Sequence, residues 1–297
     1  MAISTKLIRK QIALFKPIVS NCTIETARAA QTAMGNFMAG THKTKVRYSP
    51  HVFRNFTCEW VIPKTQKLDG VILYFHGGGY AAGGIAYARG FGTILAAKNN
   101  MRVFCVAYRL APENPYPAAL EDALTAYEHL LESGYPADKI ILCGESAGGS
   151  LIYALTLKLK ELSLPMPCGL IALSPWCDLT QSGDSHNTNR DNDPSLTKER
   201  LDFFATLYSD DPQNPYVSPL FGDLKGFPPS IIIAGGHEIL LDDSVRLHEK
   251  LIACGCTSEL LITPEMWHVY ILYGVKEGKN DHLKISTFVM EALNGPS

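Results

Sequence analysis

Ser146 sits in the run Cys143-Gly144-Glu145-Ser146-Ala147-Gly148-Gly149, directly after the apolar stretch Lys139-Ile140-Ile141-Leu142 and directly before a helix-like stretch, Ser150 to Leu162. A strand, a G-x-S-x-G turn and a helix in that order lift the serine hydroxyl clear of a sheet edge. The turn is tight, so the residues beside the serine must be small. The Ala147 amide, at the positive end of the following helix, points at whatever Ser146 attacks. The chemistry this suits is nucleophilic acyl transfer. It needs a nucleophile, a base, an orienting acid and donors for a developing oxyanion. His76-Gly77-Gly78-Gly79 follows the buried-looking strand Val71-Phe75 and offers those donors. Glycines let successive N–H groups face one point, so Gly78, Gly79 and Ala147 together form the expected oxyanion hole. Three glycines alone could be a plain turn; the serine turn further on is what gives them a chemical reading.

The base is expected after the last strand. Nine histidines are present. His268, following Leu260-Leu261-Ile262-Thr263-Pro264-Glu265-Met266-Trp267, fits a strand-plus-loop position. His237 immediately follows a strand and reads as a hydrogen-bonded loop residue. His282 lies a helix further on and is expected to face solvent. The acid is expected after Ile231-Ala234, where Glu238, Asp242 and Asp243 are the candidates. Glu238 is closest to the strand end and can reach Nδ1 of His268. Asp242 and Asp243 fall at a helix start, where carboxylates suit the positive end as caps; Asp242 is kept as the alternative acid. No Walker lysine appears, and Gly236-His237-Glu238-Ile239 has no second histidine at metal-binding spacing, so neither metal nor cofactor is expected.

These residues need a scaffold that alternates strands and helices. The strand candidates are Val71-Phe75, Val103-Tyr108, Ile140-Cys143, Leu170-Leu173, Ile231-Ala234 and Glu259-Ile262, mostly continuous apolar runs as in a parallel sheet buried on both faces. Helical stretches near Tyr87-Lys98, Pro117-Ser133, Ser150-Leu162 and Ser244-Ala253 lie between them, which argues a doubly wound α/β sheet. Lys45-Phe53 and Cys58-Pro63 read as an antiparallel hairpin at the sheet edge. Two segments break the alternation: residues 1 to about 44, which read as helical, and about 177–215, which is polar and reads as a long loop. Segments like the second are usually functional. The chain is therefore expected to be a single domain, 1–297, with a cap built from about 1–44 plus 177–215. That cap either gates access or simply covers apolar sheet. Tyr80 and Tyr87, just after the glycine run, either line the pocket or pack.

The bulk composition narrows the partners. At 297 residues, 46% hydrophobic and 19% charged, with a net charge of −2, the chain carries no block of like charge and no sign of a nucleic-acid partner. The eight cysteines are scattered with no Cys-x-x-Cys pair, which fits a reducing, cytoplasmic compartment. Lys6, Arg9, Lys10 and Lys16 interrupt every apolar run of the first twenty residues, so neither a signal-peptide core nor a membrane span is expected. Leu7, Ile8, Ile12, Phe15 and Val19 recur at helical spacing, as in an amphipathic helix packed on the body.

With these motifs in this order the chain resembles the hormone-sensitive lipase family of α/β-hydrolases, in its bacterial esterase branch, over roughly residues 60–295. His76-Gly77-Gly78-Gly79 is similar to the family's oxyanion motif. Tyr108-Arg109-Leu110-Ala111-Pro112-Glu113 is similar to its signature after the fourth strand, and Ser174-Pro175-Trp176 with Asp178-Leu179 to the segment entering the cap. The order Ser, acid, His is that of the α/β-hydrolases. The resemblance implies an α/β-hydrolase fold with a mostly parallel sheet, helices on both faces and a helical cap. It also implies a serine carboxylesterase for short acyl esters, with Ser146, Glu238 and His268 as its triad and a small-molecule ester as its partner. A homodimer through the last strand and its helix is implied by analogy. Two positions depart from the family's habit: Glu145, where Asp or Thr is commoner, and Glu238, where many members have Asp. A deacetylase, lactonase or amidase would use the same triad. A receptor on a dead hydrolase scaffold would lack the histidine that this chain has.

Overall fold

The computed structural model describes residues 4–295. Strands β1 (Val46–Val52), β2 (Thr57–Pro63), β3 (Val71–Phe75), β4 (Arg102–Ala107), β5 (Ile140–Glu145), β6 (Gly169–Leu173), β7 (Ser230–Gly235) and β8 (Ser258–Thr263) form one sheet in the order β1-β2-β4-β3-β5-β6-β7-β8. β1 and β2 are the expected edge hairpin, and β2 meets β4 antiparallel. From β4 to β8 every pairing is parallel.

The apolar runs explain the order of burial. Each residue of β3 and β5 is buried, because neighbouring strands and helices close both faces. Along β3, Leu73 and Phe75 join one core while Ile72 and Tyr74 join the other, as the two-residue period of a strand requires. Helices α1 (Thr5–Asn21), α2 (Ile24–His42), α3 (Ile85–Asn99), α4 (Ala118–Glu132), α5 (Ala147–Glu161), the single turn α6 (Ser185–Thr188), α7 (Lys198–Tyr208), α8 (Leu241–Ala253) and α9 (Gly278–Asn294) surround the sheet. Residues of α4, α5 and α8 fill the first core, and residues of α3 and α9 fill the second. Each large aliphatic side chain fully buried there contributes roughly 1.5–3 kcal/mol. β8, the outer strand, is only partly covered, and Ile262 on it is 43% exposed.

Two contacts place α2 over the C-terminal ends of β3 and β4. α2 crosses α3 at backbone distance, since a Cβ on Gly35 would fall 2.2 Å from the Ala86 carbonyl oxygen. Arg28 of α2 then pairs with Glu113 at 2.7 Å and donates to the Ala81 and Ala111 carbonyls at 2.9 Å. The segment 177–215 is not the continuous loop its polarity suggests. Thr197 caps α7 by accepting the Arg200 N–H at 3.2 Å, and Leu201, Ala205 and Tyr208 are buried along one side of that helix. α7 packs on α1.

Candidate active site

Ser146 stands between β5 and α5 with φ +54° and ψ −121°, a backbone that side chains rarely adopt. The neighbours that allow this are glycines for steric reasons. A Cβ on Gly144 would lie 2.2 Å from the Gly148 oxygen, and one on Gly148 would lie 2.2 Å from the Phe75 oxygen. The turn thus fits flush against the end of β3, which is where the glycine run begins.

That run bends sharply. Gly78 has φ +118° and Gly79 φ +62°. Among the described residues the N–H groups of Gly78, Gly79 and Ala147 donate to no acceptor, while the Gly78 carbonyl is held by Ala81 and Ala82. Three amides left open beside one serine can receive a negative oxygen. His76, which opens the run, is a support and not a base. Its Nδ1 lies 2.7 Å from the Gly77 oxygen and its Nε2 accepts the Gly84 N–H at 3.2 Å, so both ring nitrogens are committed. Burial holds it down to about 4. Tyr108 stacks on it with ring centroids 4.4 Å apart and donates to its carbonyl at 2.7 Å.

Glu145 has a role that sequence reasoning missed. Its side chain is buried beneath the glycine run, with Oε1 accepting the Gly77 N–H at 2.6 Å and Oε2 accepting the Tyr74 hydroxyl. Burial pushes it up to about 8, against the pull of those hydrogen bonds. The residue before Ser146 therefore braces the start of the glycine loop. Its departure from the commoner Asp or Thr was the available signal.

His268 and Glu238 are brought together. His268 Nδ1 lies 2.9 Å from Glu238 Oε2, and Glu238 Oε1 accepts the Gly235 N–H at 3.1 Å. Glu238 is fully buried and His268 nearly so. Burial pushes the Glu238 carboxyl up; the hydrogen bond from His268 opposes it. The two other acids do different work from that expected. Asp242 and Asp243 do not cap their own helix. Asp242 Oδ2 accepts the Ser185 N–H at 2.8 Å, and it is Ser185 Oγ that receives the Asp242 N–H. Asp243 Oδ2 accepts the N–H groups of Cys177 and Asp178 at 2.7 and 2.9 Å. The loop from 177 to 185 has N–H groups that its own irregular backbone cannot satisfy, and these carboxylates supply the acceptors. His282 is also misplaced by the sequence reading: it is buried in α9, 6.1 Å from the Phe91 ring by centroid, and burial holds it down to about 3. His237 is half-buried in its loop, with Nδ1 3.2 Å from Arg9 Nη2.

Ser146, His268 and Gly77–Gly79 line a cavity of about 730 Å³ whose other walls come from α1, α2 and the segment carrying α7. Phe15, Gln31, Arg200 and Phe204 are among those walls; the sequence marked Phe15 only as part of an amphipathic helix, and did not single out the other three. Tyr87 lines the cavity; Tyr80 is fully buried, stacked on Tyr208 with centroids 3.7 Å apart. Among the described residues no three metal-ligating side chains cluster, and no helix is long and apolar enough to cross a membrane.

The chain as a whole is similar to known proteins. A family model described as alpha/beta hydrolase fold matches residues 72–272. An acetyl-hydrolase of Streptomyces hygroscopicus is 39% identical over 220 residues, covering 73% of each chain. An esterase of Acinetobacter venetianus is 38% identical over 206 residues, covering 68% of each. The crystal structure of an esterase from the bacterial hormone-sensitive lipase family superposes with a TM-score of 0.90 at 33% identity, covering 99% of this chain and 100% of that one.

Proposed function

As the chain belongs to the hormone-sensitive lipase family of α/β-hydrolases and is a carboxylic-ester hydrolase, we propose that it cleaves short-chain acyl esters with Ser146, His268 and Glu238 as its triad. The observation that carries the assignment is the 2.9 Å contact between His268 and Glu238 at a cavity shared with Ser146.

In this reading the Ser146 hydroxyl attacks the ester carbonyl carbon, and His268 Nε2 takes its proton. The carbonyl oxygen gains the negative charge and is held by the amides of Gly78, Gly79 and Ala147. Glu238 keeps the proton of the neutral imidazole on Nδ1 and stabilises the imidazolium once it forms. The imidazolium gives its proton to the alcohol oxygen as the ester C–O bond breaks, leaving an acyl-Ser146. Water then attacks with His268 again as base, the acid leaves, and Ser146 recovers its proton. α1, α2 and the segment 177–215 act as the cap, since residues of each line the cavity wall. Free cysteines throughout suit a reducing cytoplasm. A homodimer would use the uncovered edge of β8.

Ser146→Ala tests the reading. Turnover of aryl esters should fall to less than about one part in a thousand, with the melting temperature kept, since triad members act as a unit. A larger residual rate, or labelling of that variant by a fluorophosphonate, would move the nucleophile elsewhere. A second reading, deacetylation, is favoured by the 39% identity to an acetyl-hydrolase. It predicts kcat/KM highest for acetyl esters, whereas the first predicts activity across acyl chains of about two to eight carbons and no jump at micellisation.

A further inference from the structure

We propose that Arg200 forms an anion-binding subsite in the substrate cavity, so that the ester this protein is built for carries a carboxylate. The inference rests on the esterase reading and deepens it. Arg200 lies on α7, is only 8% exposed, and lines the cavity that opens on Ser146. A guanidinium withdrawn from water is costly unless it is paired. Here the pairing is incomplete. Nη1 donates to the Cys22 carbonyl at 2.8 Å and Nη2 lies 3.8 Å from the Cys22 sulfur. The group sits 4.4 Å from the centroid of the Phe204 ring and 5.2 Å from that of Phe203. The acids nearest in sequence are engaged elsewhere, Glu199 with Arg190 at 3.6 Å and Asp202 with Lys198 at 2.9 Å. Among the described residues no carboxylate pairs with it.

The rest of the wall has the same sign. Lys16 also lines the cavity, its ammonium held by the Asp193 and Arg190 carbonyls at 2.5 and 3.2 Å. Among the described residues the one acid of the wall, Glu145, has both oxygens turned to the Gly77 amide and the Tyr74 hydroxyl. An otherwise apolar cavity with cations on its cap side focuses a positive potential on its contents. A planar fork of N–H donors is the group best shaped to receive a carboxylate. It is also near the chemistry. Phe204, which carries the guanidinium on its ring, packs so closely on the oxyanion loop that a Cβ at Gly79 would be 2.4 Å from it. The cation is therefore one aromatic ring away from the reacting carbonyl, within reach of a carboxylate at the end of a short acyl or alcohol chain. A tether to Cys22 alone would need one donor and no planar fork.

Two matched substrate pairs test this at low ionic strength. One puts the charge on the acyl side, 4-nitrophenyl hemiadipate against 4-nitrophenyl hexanoate. The other puts it on the alcohol side, 4-butyryloxybenzoate against 4-butyryloxybenzamide. In the wild-type enzyme the anionic ester of at least one pair should have the higher kcat/KM. Arg200→Gln should lower that anionic-to-neutral ratio tenfold or more, and Arg200→Lys should restore part of it. A wild-type preference for the neutral ester in both pairs overturns the proposal, whatever the variants do. So does a smaller change of ratio in the Gln variant, which would make Arg200 a tether of the cap. Absence of hydrolysis on all four esters would instead count against the esterase reading itself.

Discussion

Replacing Glu238 by Gln separates the proposed orienting acid from every other use of a carboxylate near α8. The side chain is fully buried, and its two oxygens have fixed partners, the Gly235 N–H at 3.1 Å and His268 Nδ1 at 2.9 Å. The Gly235 amide must keep an acceptor, so the Gln carbonyl oxygen takes the Gly235 side and its NH₂ faces the imidazole. Nδ1 then has to accept, which puts the ring proton on Nε2, the nitrogen that should receive the proton of Ser146. The imidazolium also loses its counter-charge. Wrong tautomer and lost charge together lower kcat by up to about 10⁴, or roughly 5 kcal/mol at 1.36 kcal/mol per decade. Stability should not follow. Burial already works against the Glu238 anion, pushing its pKa up, so a neutral isostere folds at least as well. The assay is initial rates on an aryl butyrate beside a thermal melt of the same preparations. Asp242→Asn is the control. It keeps an oxygen for the Ser185 N–H, so its loss is limited to the charge-assisted part of one hydrogen bond, on the order of 1 kcal/mol, with turnover near wild type. A Glu238→Gln enzyme retaining more than a tenth of its kcat would refute the assignment. So would an Asp242→Asn enzyme that folds but is inactive.

The buried Glu145 makes stability pH-dependent: its folded pKa of about 8 lies above the ordinary 4.5, so the stability it contributes is full below about pH 4.5 and declines as pH rises toward 8. Glu145→Gln should flatten that decline, which amounts to at most about 1.4 kcal/mol per pH unit in denaturant titrations; an unchanged slope would show that another group sets it. Gly79→Ala would drive a methyl to 2.4 Å from Phe204 at a φ of +62°, twisting one donor away, and should cost about 10²–10³ in kcat with a smaller change in KM. Gly35→Ala would press a methyl on the Ala86 carbonyl at 2.2 Å, so melting should fall by several degrees and α2 should move from the cavity wall, raising KM more than it lowers kcat.

What could be read without coordinates and what could not divides along a physical line. β3 and β5 were legible because a parallel strand covered on both faces has to be apolar throughout, and Val71–Phe75 and Ile140–Cys143 are. Gly144, Gly148, Gly78 and Gly79 were legible because a Cβ at any of them would fall 2.2–2.4 Å from a neighbouring segment, and Gly78 at φ +118° holds a backbone that side chains rarely adopt. These are constraints on single positions or short runs, and a sequence displays them directly. The roles of Asp242, Asp243 and His282 were not legible, because each depends on which distant loop or helix comes to lie against it. A carboxylate at a helix start caps that helix if water is its competitor. It serves a neighbouring loop instead when that loop brings buried N–H groups to it, as residues 177–185 do. The cavity wall is the extreme case. Phe15, Gln31 and Arg200 lie on three helices, and their meeting at Ser146 follows from α2 lying flush on α3 and α7 packing on α1. No local pattern encodes that meeting. The catalytic chemistry of such a fold is therefore written in motifs that survive isolation, whereas the choice of ester is made where helices far apart in the chain converge.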